Sequence, residues 1–197
     1  MPKARTDYGG RWQHKMVPAL AFYNGKIMSK LENMIEEVYK QAKNGQWDQV
    51  LSDWKDIPLI EKRCSRYQKE SSGWTFFHQA AYFGHETACR ELIRLGASVN
   101  RRSREGKTAI DVAEERGYID LANLLKRAFE KEGSLWVTPA DPDLRPSSNR
   151  WDEANERRAT EGMLVAYGGG VVRILTGKRY FVDSFERVLI ETFAKPQ

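Results

Sequence analysis

The chain has 197 residues, with 32 Lys and Arg against 27 Asp and Glu for a formal charge of +5, and it is 41% hydrophobic, 11% aromatic and 30% charged. A chain of this size buries enough surface for a real core, which excludes disorder throughout and allows one domain or two small ones. The longest apolar run near the N-terminus, Met16 to Phe22, is broken by Pro18 and falls far short of the roughly 20 residues a membrane-spanning helix needs. It runs into Phe22-Tyr23-Asn24-Gly25 instead of a small-residue cleavage site, which argues against secretion. Cys64 and Cys89 are the only cysteines and form no CxxC pair, so the expected setting is a reducing intracellular compartment, the cytoplasm, without structural zinc.

Residues 1–25 carry Lys3, Arg5, Arg11 and Lys15 against Asp7 alone, with Pro2, Gly9, Gly10 and Pro18, and read as a basic extended arm. Asp7, the glycine pair and the lack of an amphipathic period argue against a mitochondrial presequence. Beyond the arm, Ile27, Leu31, Met34, Ile35, Val38, Tyr39 and Ala42 keep a helical period over several turns, and Trp47, Val50, Leu51 and Trp54 supply a second, shorter helix.

The middle of the chain repeats itself. Gly73-Trp74-Thr75 and Gly106-Lys107-Thr108 lie 33 residues apart, and the offset carries Ala80 onto Ala113, Gly84 onto Gly117, Ala88 onto Leu121 and Leu92 onto Leu125. Thr75 and Thr108 stand where a hydroxyl caps a helix start, and Gly84 and Gly117 where a helix ends in a left-handed residue. Ala88, Leu92 and Leu95, then Leu121, Leu124 and Leu125, give the second helix of each copy an apolar face.

With Gly73-Trp-Thr-Phe-Phe-His78-Gln-Ala-Ala-Tyr-Phe-Gly84-His85 followed by Leu92-Ile93-Arg94-Leu95-Gly96-Ala97-Ser98-Val99-Asn100, this segment resembles an ankyrin repeat. It departs from the family's Thr-Pro-Leu-His pattern at Phe76 and Phe77, and the second copy has Asp111 where the family's His stands. Two repeats alone are seldom stable. Ala42-Lys43-Asn44-Gly45 matches Ala81-Tyr82-Phe83-Gly84 at an offset of 39, which makes the upstream helices a degenerate N-terminal capping unit. The ankyrin-like part is expected over residues 26–132.

Residues 133–148, with Pro139, Pro142, Pro146 and Ser147-Ser148, read as a Pro/Ser-rich linker. In the tail, 149–197, a charged and moderately helical stretch from Asn149 to Thr160 precedes strands at Met163–Tyr167, Val171–Leu175, Arg179–Val182 and Val188–Phe193, with Gly168-Gly169-Gly170 as a hairpin turn. The fold class is thus α+β, mainly α: a helical stack of two clear repeats and a cap, then a small antiparallel β-meander. Such a sheet needs something to pack on, and Trp136, Trp151 or the end of the stack are available.

No catalytic, cofactor or metal constellation stands out. Three glycines followed by a strand do not make a phosphate loop. His78 and His85 are structural struts by the resemblance and lack further ligands. Cys89 reads as a small core residue, and Cys64, among Lys62, Arg63 and Arg66, has no positioned base to make it a nucleophile.

Ankyrin stacks project the loops between repeats as fingers. Here one finger runs Glu61 to Lys69 and the next Arg101 to Lys107. Pooled charge from Lys62, Arg63, Arg66, Lys69, Arg101, Arg102, Arg104 and Lys107, with Tyr67, Tyr82 and Phe83 as apolar anchors, gives a docking edge for a protein partner with an acidic surface. The expected function is therefore a non-catalytic interaction module or adaptor that binds its partner through the finger loops and the concave face of the stack, with no small-molecule substrate. The alternatives are a subunit of a ribonucleoprotein or other large assembly, with arm and fingers on RNA phosphates, and an enzyme with a site in the β tail around Tyr167, Arg173, Arg179 and Asp183.

Overall fold

The computed structural model describes residues 18–129 and 139–191, with side chains from residue 28 onward. Its contacts divide the chain into two units, Met1–Asn33 and Met34–Gln197. The described helices are α1 (Pro18–Lys43), α2 (Trp47–Asp56), α3 (Pro58–Cys64), α4 (Phe76–Tyr82), α5 (Glu86–Arg94), α6 (Ala109–Glu115) and α7 (Ile119–Phe129). Two of them correct the sequence reading. Residues 18–25, expected in the extended arm, are the first turns of α1, because a proline in the first turn lacks only an N–H that no helix bond uses. The remaining arm residues, 1–17, lie outside the described residues. Glu61–Cys64, expected as the start of a finger loop, belong to α3, which Pro58 initiates and which buries Ile60 and Cys64.

The two clear copies are the pairs α4/α5 and α6/α7. Thr75 and Thr108 cap α4 and α6, and each cap is closed into a reciprocal box by the residue three positions on, His78 in one copy and Asp111 in the other. Gly84 ends α4 at φ 66°. A Cβ there would lie 2.7 Å from the ring of Tyr118 in the next copy, so glycine is required for its conformation and for its lack of a side chain. Ala88, Cys89, Leu92 and Ile93 of α5 and Leu121, Ala122, Leu125 and Ala128 of α7 are buried. Upstream, Trp47, Val50 and Trp54 of α2 are buried with Tyr39 and Ala42 of α1. Trp54 meets Phe76 at 5.7 Å between ring centroids and Trp47 meets His85 at 5.7 Å, which seats these helices on the first copy. Each large side chain so buried contributes roughly 1.5–3 kcal/mol.

The tail contains β1 (Ser147–Ser148), a 3-10 turn at Trp151–Glu153, β2 (Asn155–Arg158), β3 (Met163–Tyr167), β4 (Gly170–Ile174), β5 (Arg179–Val182) and β6 (Val188–Leu189). β3 and β4 form an antiparallel hairpin whose turn residues Gly168 and Gly169 both have positive φ, the backbone that matches strand twist. The other strands form a sheet in the order β1-β6-β5-β2, antiparallel except for the parallel pair β1/β6. The segment Asn149–Thr160, expected to be moderately helical, is instead the short turn and strand β2. Asn155–Arg158 pair residue for residue with Val182–Arg179, and this tertiary pairing overrides a charged sequence without strong strand propensity. Ala159, Met163, Val165 and Val188 form the small core between the two sheets.

The tail is fastened to the last repeat helix. Its buried Arg150 donates through Nη2 to the carbonyl of Arg127 at 2.6 Å, and its buried Arg187 donates through Nη1 to the carbonyl of Ala128 at 2.9 Å. Both are end carbonyls of α7 that no amide of that helix satisfies, and they sit at the negative pole of its dipole. Arg187 is held by Asp183, whose Oδ2 accepts from Nε at 2.8 Å while Oδ1 accepts from the amides of Phe185 and Arg187. The guanidinium carbons of Arg127 and Arg187 each lie 5.2 Å from the buried ring of Phe185. Trp151 packs on Phe181 at 5.7 Å, whereas Trp136 lies outside the described residues. Replacing Arg187 by Met leaves Asp183 as a buried unpaired carboxylate, a loss of about 3–5 kcal/mol. Urea titration is expected to give one coincident transition by tryptophan fluorescence and helix circular dichroism in wild type, shifted down by that amount in the variant.

Candidate docking cleft

The charged finger residues are mostly engaged. Lys62, on α3, pairs with Asp143 of the tail at 3.3 Å, and Lys69 pairs with Glu36 at 2.7 Å. Lys107 pairs with Glu115 at 2.7 Å, and Arg102 donates to the carbonyl of Gly106 at 2.6 Å. Arg63 and Arg66 are half-buried. Burial pulls the Arg66 guanidinium down to about 10, against the opposing pull of the nearby Asp141 charge. Arg101 and Arg104 are exposed and have no ion pair among the described residues. The fingers nevertheless lie side by side: Gln68 Nε2 bridges the carbonyls of Gly73 and Arg102, and the Arg104 amide donates to the Ser72 carbonyl at 2.9 Å. His78 ties them down. Its Nδ1 accepts from the Thr75 amide at 3.2 Å, leaving the proton on Nε2, which donates to the Lys107 carbonyl at 2.9 Å. Burial lowers the His78 pKa, as this neutral, doubly bonded imidazole requires.

Between α1, the first finger and α4 opens a cleft of about 580 Å³. Tyr39, Trp74 and Tyr82 line it, with Trp74 and Tyr82 at 5.9 Å between ring centroids. Gln79 Nε2 donates to the Tyr39 hydroxyl at 2.9 Å. Lys40, Lys43 and Lys69 stand on the rim with Glu36, which pairs with Lys69, while Lys40 pairs with Glu37 of the same helix at 2.9 Å. The Lys69 and Tyr67 hydrogen bonds hold Glu36 below its ordinary pKa, so that its charge is fixed at neutral pH. Arg116 lies over the Tyr82 ring at 4.4 Å from its centroid and stiffens that wall.

Of the sequence-predicted anchors, Tyr82 and Lys69 line this cleft. Tyr67 lies behind it, its ring tilted against that of Tyr39 at 5.0 Å between centroids and its hydroxyl donating to Glu36, and Phe83 covers Gly45. Tyr39, Lys40, Lys43 and Trp74 were missed. Lys40 and Lys43 sit three residues apart on α1 beside Tyr39, a spacing that already puts them on one helical face, but only the turn of the first finger brings Trp74 opposite them.

The residues of the enzymatic alternative stay apart. Asp183 is committed to Arg187, Arg179 pairs with Glu156 at 3.7 Å, and Arg173 is exposed on β4. Burial pushes the Cys64 thiol up to about 12 and also raises that of Cys89, so neither is a ready nucleophile. Among the described residues no group of three or more His, Cys, Asp and Glu is arranged to hold a metal, and no helix is long and apolar enough to cross a membrane.

The model of the family described as ankyrin repeats, three copies, matches residues 53–133. Residues 53–133 match ankyrin repeats, and α4 to α7 lie within them. Similar proteins include the transient receptor potential cation channel subfamily A member 1 homolog of Caenorhabditis elegans, 35% identical over 61% of this chain and 10% of its own length. Calmodulin-binding transcription activator 5 of Arabidopsis thaliana is 33% identical over 61% of this chain and 14% of its own length. Protein phosphatase 1 regulatory subunit 12A of Rattus norvegicus is 41% identical over 34% of this chain and 6% of its own length. The chain thus spans about a tenth of these relatives.

A second cavity, of about 380 Å³, opens beside the ankyrin stack where Asp143 and Arg145 of the tail meet Glu61, Lys62 and Arg94. Arg94 Nη2 donates to Glu61 Oε1 at 2.9 Å and also to Glu91. Burial, with the neighbouring Glu91, raises the Glu61 carboxyl to about 7, whereas hydrogen bonds from Arg94 and Glu61 overcome burial and keep Glu91 low. The folded protein therefore retains a proton on Glu61 that the unfolded chain gives up from about pH 4.5. This contribution to stability is full below that pH and is lost as pH rises to about 7. In urea titrations between pH 5 and pH 8, Glu61→Gln is expected to gain on wild type as pH rises; a constant difference would contradict this protonation.

Proposed function

We propose that the chain is a non-catalytic adaptor that holds an acidic segment of a protein partner in the cleft between α1, the first finger and α4. The observation that carries this reading is the lining: three aromatic rings under a rim of three lysines and one glutamate. Rigid aromatics with few rotamers give large contact area at small entropic cost, and rim cations speed encounter with an acid. Arg101 and Arg104, exposed on the adjoining finger and without an ion pair among the described residues, extend the positive surface. The related proteins carry names of a channel, a transcription activator and a phosphatase regulatory subunit. No single reaction is common to those names, which supports a binding role for the part they share with this chain. Two buried, unpaired cysteines suit a partner in a reducing compartment.

The probe is a fluorescent synthetic peptide of Asp and Glu flanking one central tyrosine, measured by anisotropy with the full chain. Lys40→Glu with Lys43→Glu is expected to weaken binding about tenfold, with loss also on raising salt. Trp74→Ala should cost about 2 kcal/mol. Equal binding by all variants overturns the cleft as the docking site. Binding of a single-stranded RNA oligomer with these same losses, and none of the peptide, overturns the protein partner in favour of RNA.

A further inference from the structure

The β tail offers a second, separate surface. In the β3–β4 hairpin, Leu164 stands opposite Arg173 and Ala166 opposite Val171, on the face turned away from the core residues Met163 and Val165. That outward face is apolar around a single cation: Val171 is 55% exposed, Leu175 52% and Leu164 40%. The far edge of β3 is already taken, since the Arg145 amide donates to the Leu164 carbonyl at 2.8 Å and the Ala166 amide donates to the Arg145 carbonyl at 2.9 Å. The far edge of β4 has no strand beside it among the described residues.

An open edge is a pairing hazard that proteins normally guard with charge. β2, the edge strand of the other sheet, is guarded in this way: it reads Asn-Glu-Arg-Arg and is exposed nearly throughout. β4 reads Gly-Val-Val-Arg-Ile, with one charge and three β-branched residues. The contrast within one tail marks β4 as an edge kept for pairing. Its only charge decides the occupant. Arg173 is exposed and has no ion pair among the described residues, and β4 contains no carboxylate. A second copy pairing across this edge brings another arginine and no acid, while a strand with an acidic residue on the outward face supplies the missing charge.

We propose that β4 is a docking edge at which an extended acidic strand of a protein partner adds to the hairpin, its main chain bonding to the free edge and its carboxylate meeting Arg173. Strand addition of this kind draws affinity from the backbone and selectivity from alternate side chains. This surface is independent of the cleft and survives the failure of that reading.

The test uses the full chain and two synthetic nonapeptides of alternating valine and threonine, one with glutamate and one with lysine at the centre. Hydrogen exchange is expected to slow at β4 amides with the glutamate peptide, which should bind two- to fivefold more tightly than the lysine peptide. Arg173→Glu, at an exposed position that leaves the fold intact by circular dichroism, should reverse this preference. The Lys40→Glu, Lys43→Glu variant should keep it. Equal affinity for both peptides, or no protection of β4 up to about 1 mM peptide, overturns the proposal. So does sedimentation showing that the chain alone dimerises with β4 protected, which would make a second copy the occupant.

Discussion

An α-helix ends with four carbonyls that none of its own amides can reach, and in α7 two of these, on Arg127 and Ala128, accept from arginines of the β tail. An ankyrin array ordinarily needs a terminal unit with a polar outer face to close its core. Here the closing element is a sheet. Its contact with the end of α7 is a pair of guanidiniums, Arg150 and Arg187, aimed at the negative pole of that helix, with the Phe185 ring beside Arg187 and the Arg127 side chain of α7. Asp183 makes this arrangement affordable: a buried arginine without a carboxylate costs several kcal/mol, and a buried carboxylate without its arginine costs as much. The position of the second cavity, with Glu61, Arg94 and Asp143 on its walls, follows from this docking.

The two clear repeats use different residues for one task, and position in the array explains the difference. In the first copy His78 must accept at the cap and donate onward to the Lys107 carbonyl in the next finger, which a neutral imidazole does with its two nitrogens. In the last described copy Asp111 stands at the same place. Its carboxylate accepts from the Thr108 amide at 2.7 Å and from the Thr108 hydroxyl at 2.8 Å. With no later finger among the described residues, acceptor capacity is sufficient there.

Much of the stack was legible because its signals are local. A period of 33 residues, threonines before helices and glycines after them are each fixed by backbone chemistry within a few residues, and the caps and turns stand where those rules put them. The cleft was only half legible. Tyr82 and Lys69 lie in the recognisable repeat and finger, but Trp74 and the lysines of α1 are 31 residues or more apart in the chain and meet only through packing. The finger charges were overestimated for the same reason: Lys62, Lys69 and Lys107 find acids at Asp143, Glu36 and Glu115, and Lys62 and Lys69 do so across long stretches of sequence. In the tail, Asn155–Arg158 carries no strand signal of its own and becomes a strand because β5 lies beside it.

Through the end of α7 the helical stack and the sheet are coupled into one folding body. Native-state hydrogen exchange tests this directly, by comparing the buried amides of β5 and β6 with those of α5 and α7. The prediction is a single opening free energy common to both sets, falling together in Arg187→Met. Sheet amides that exchange freely while α5 and α7 remain protected would contradict it.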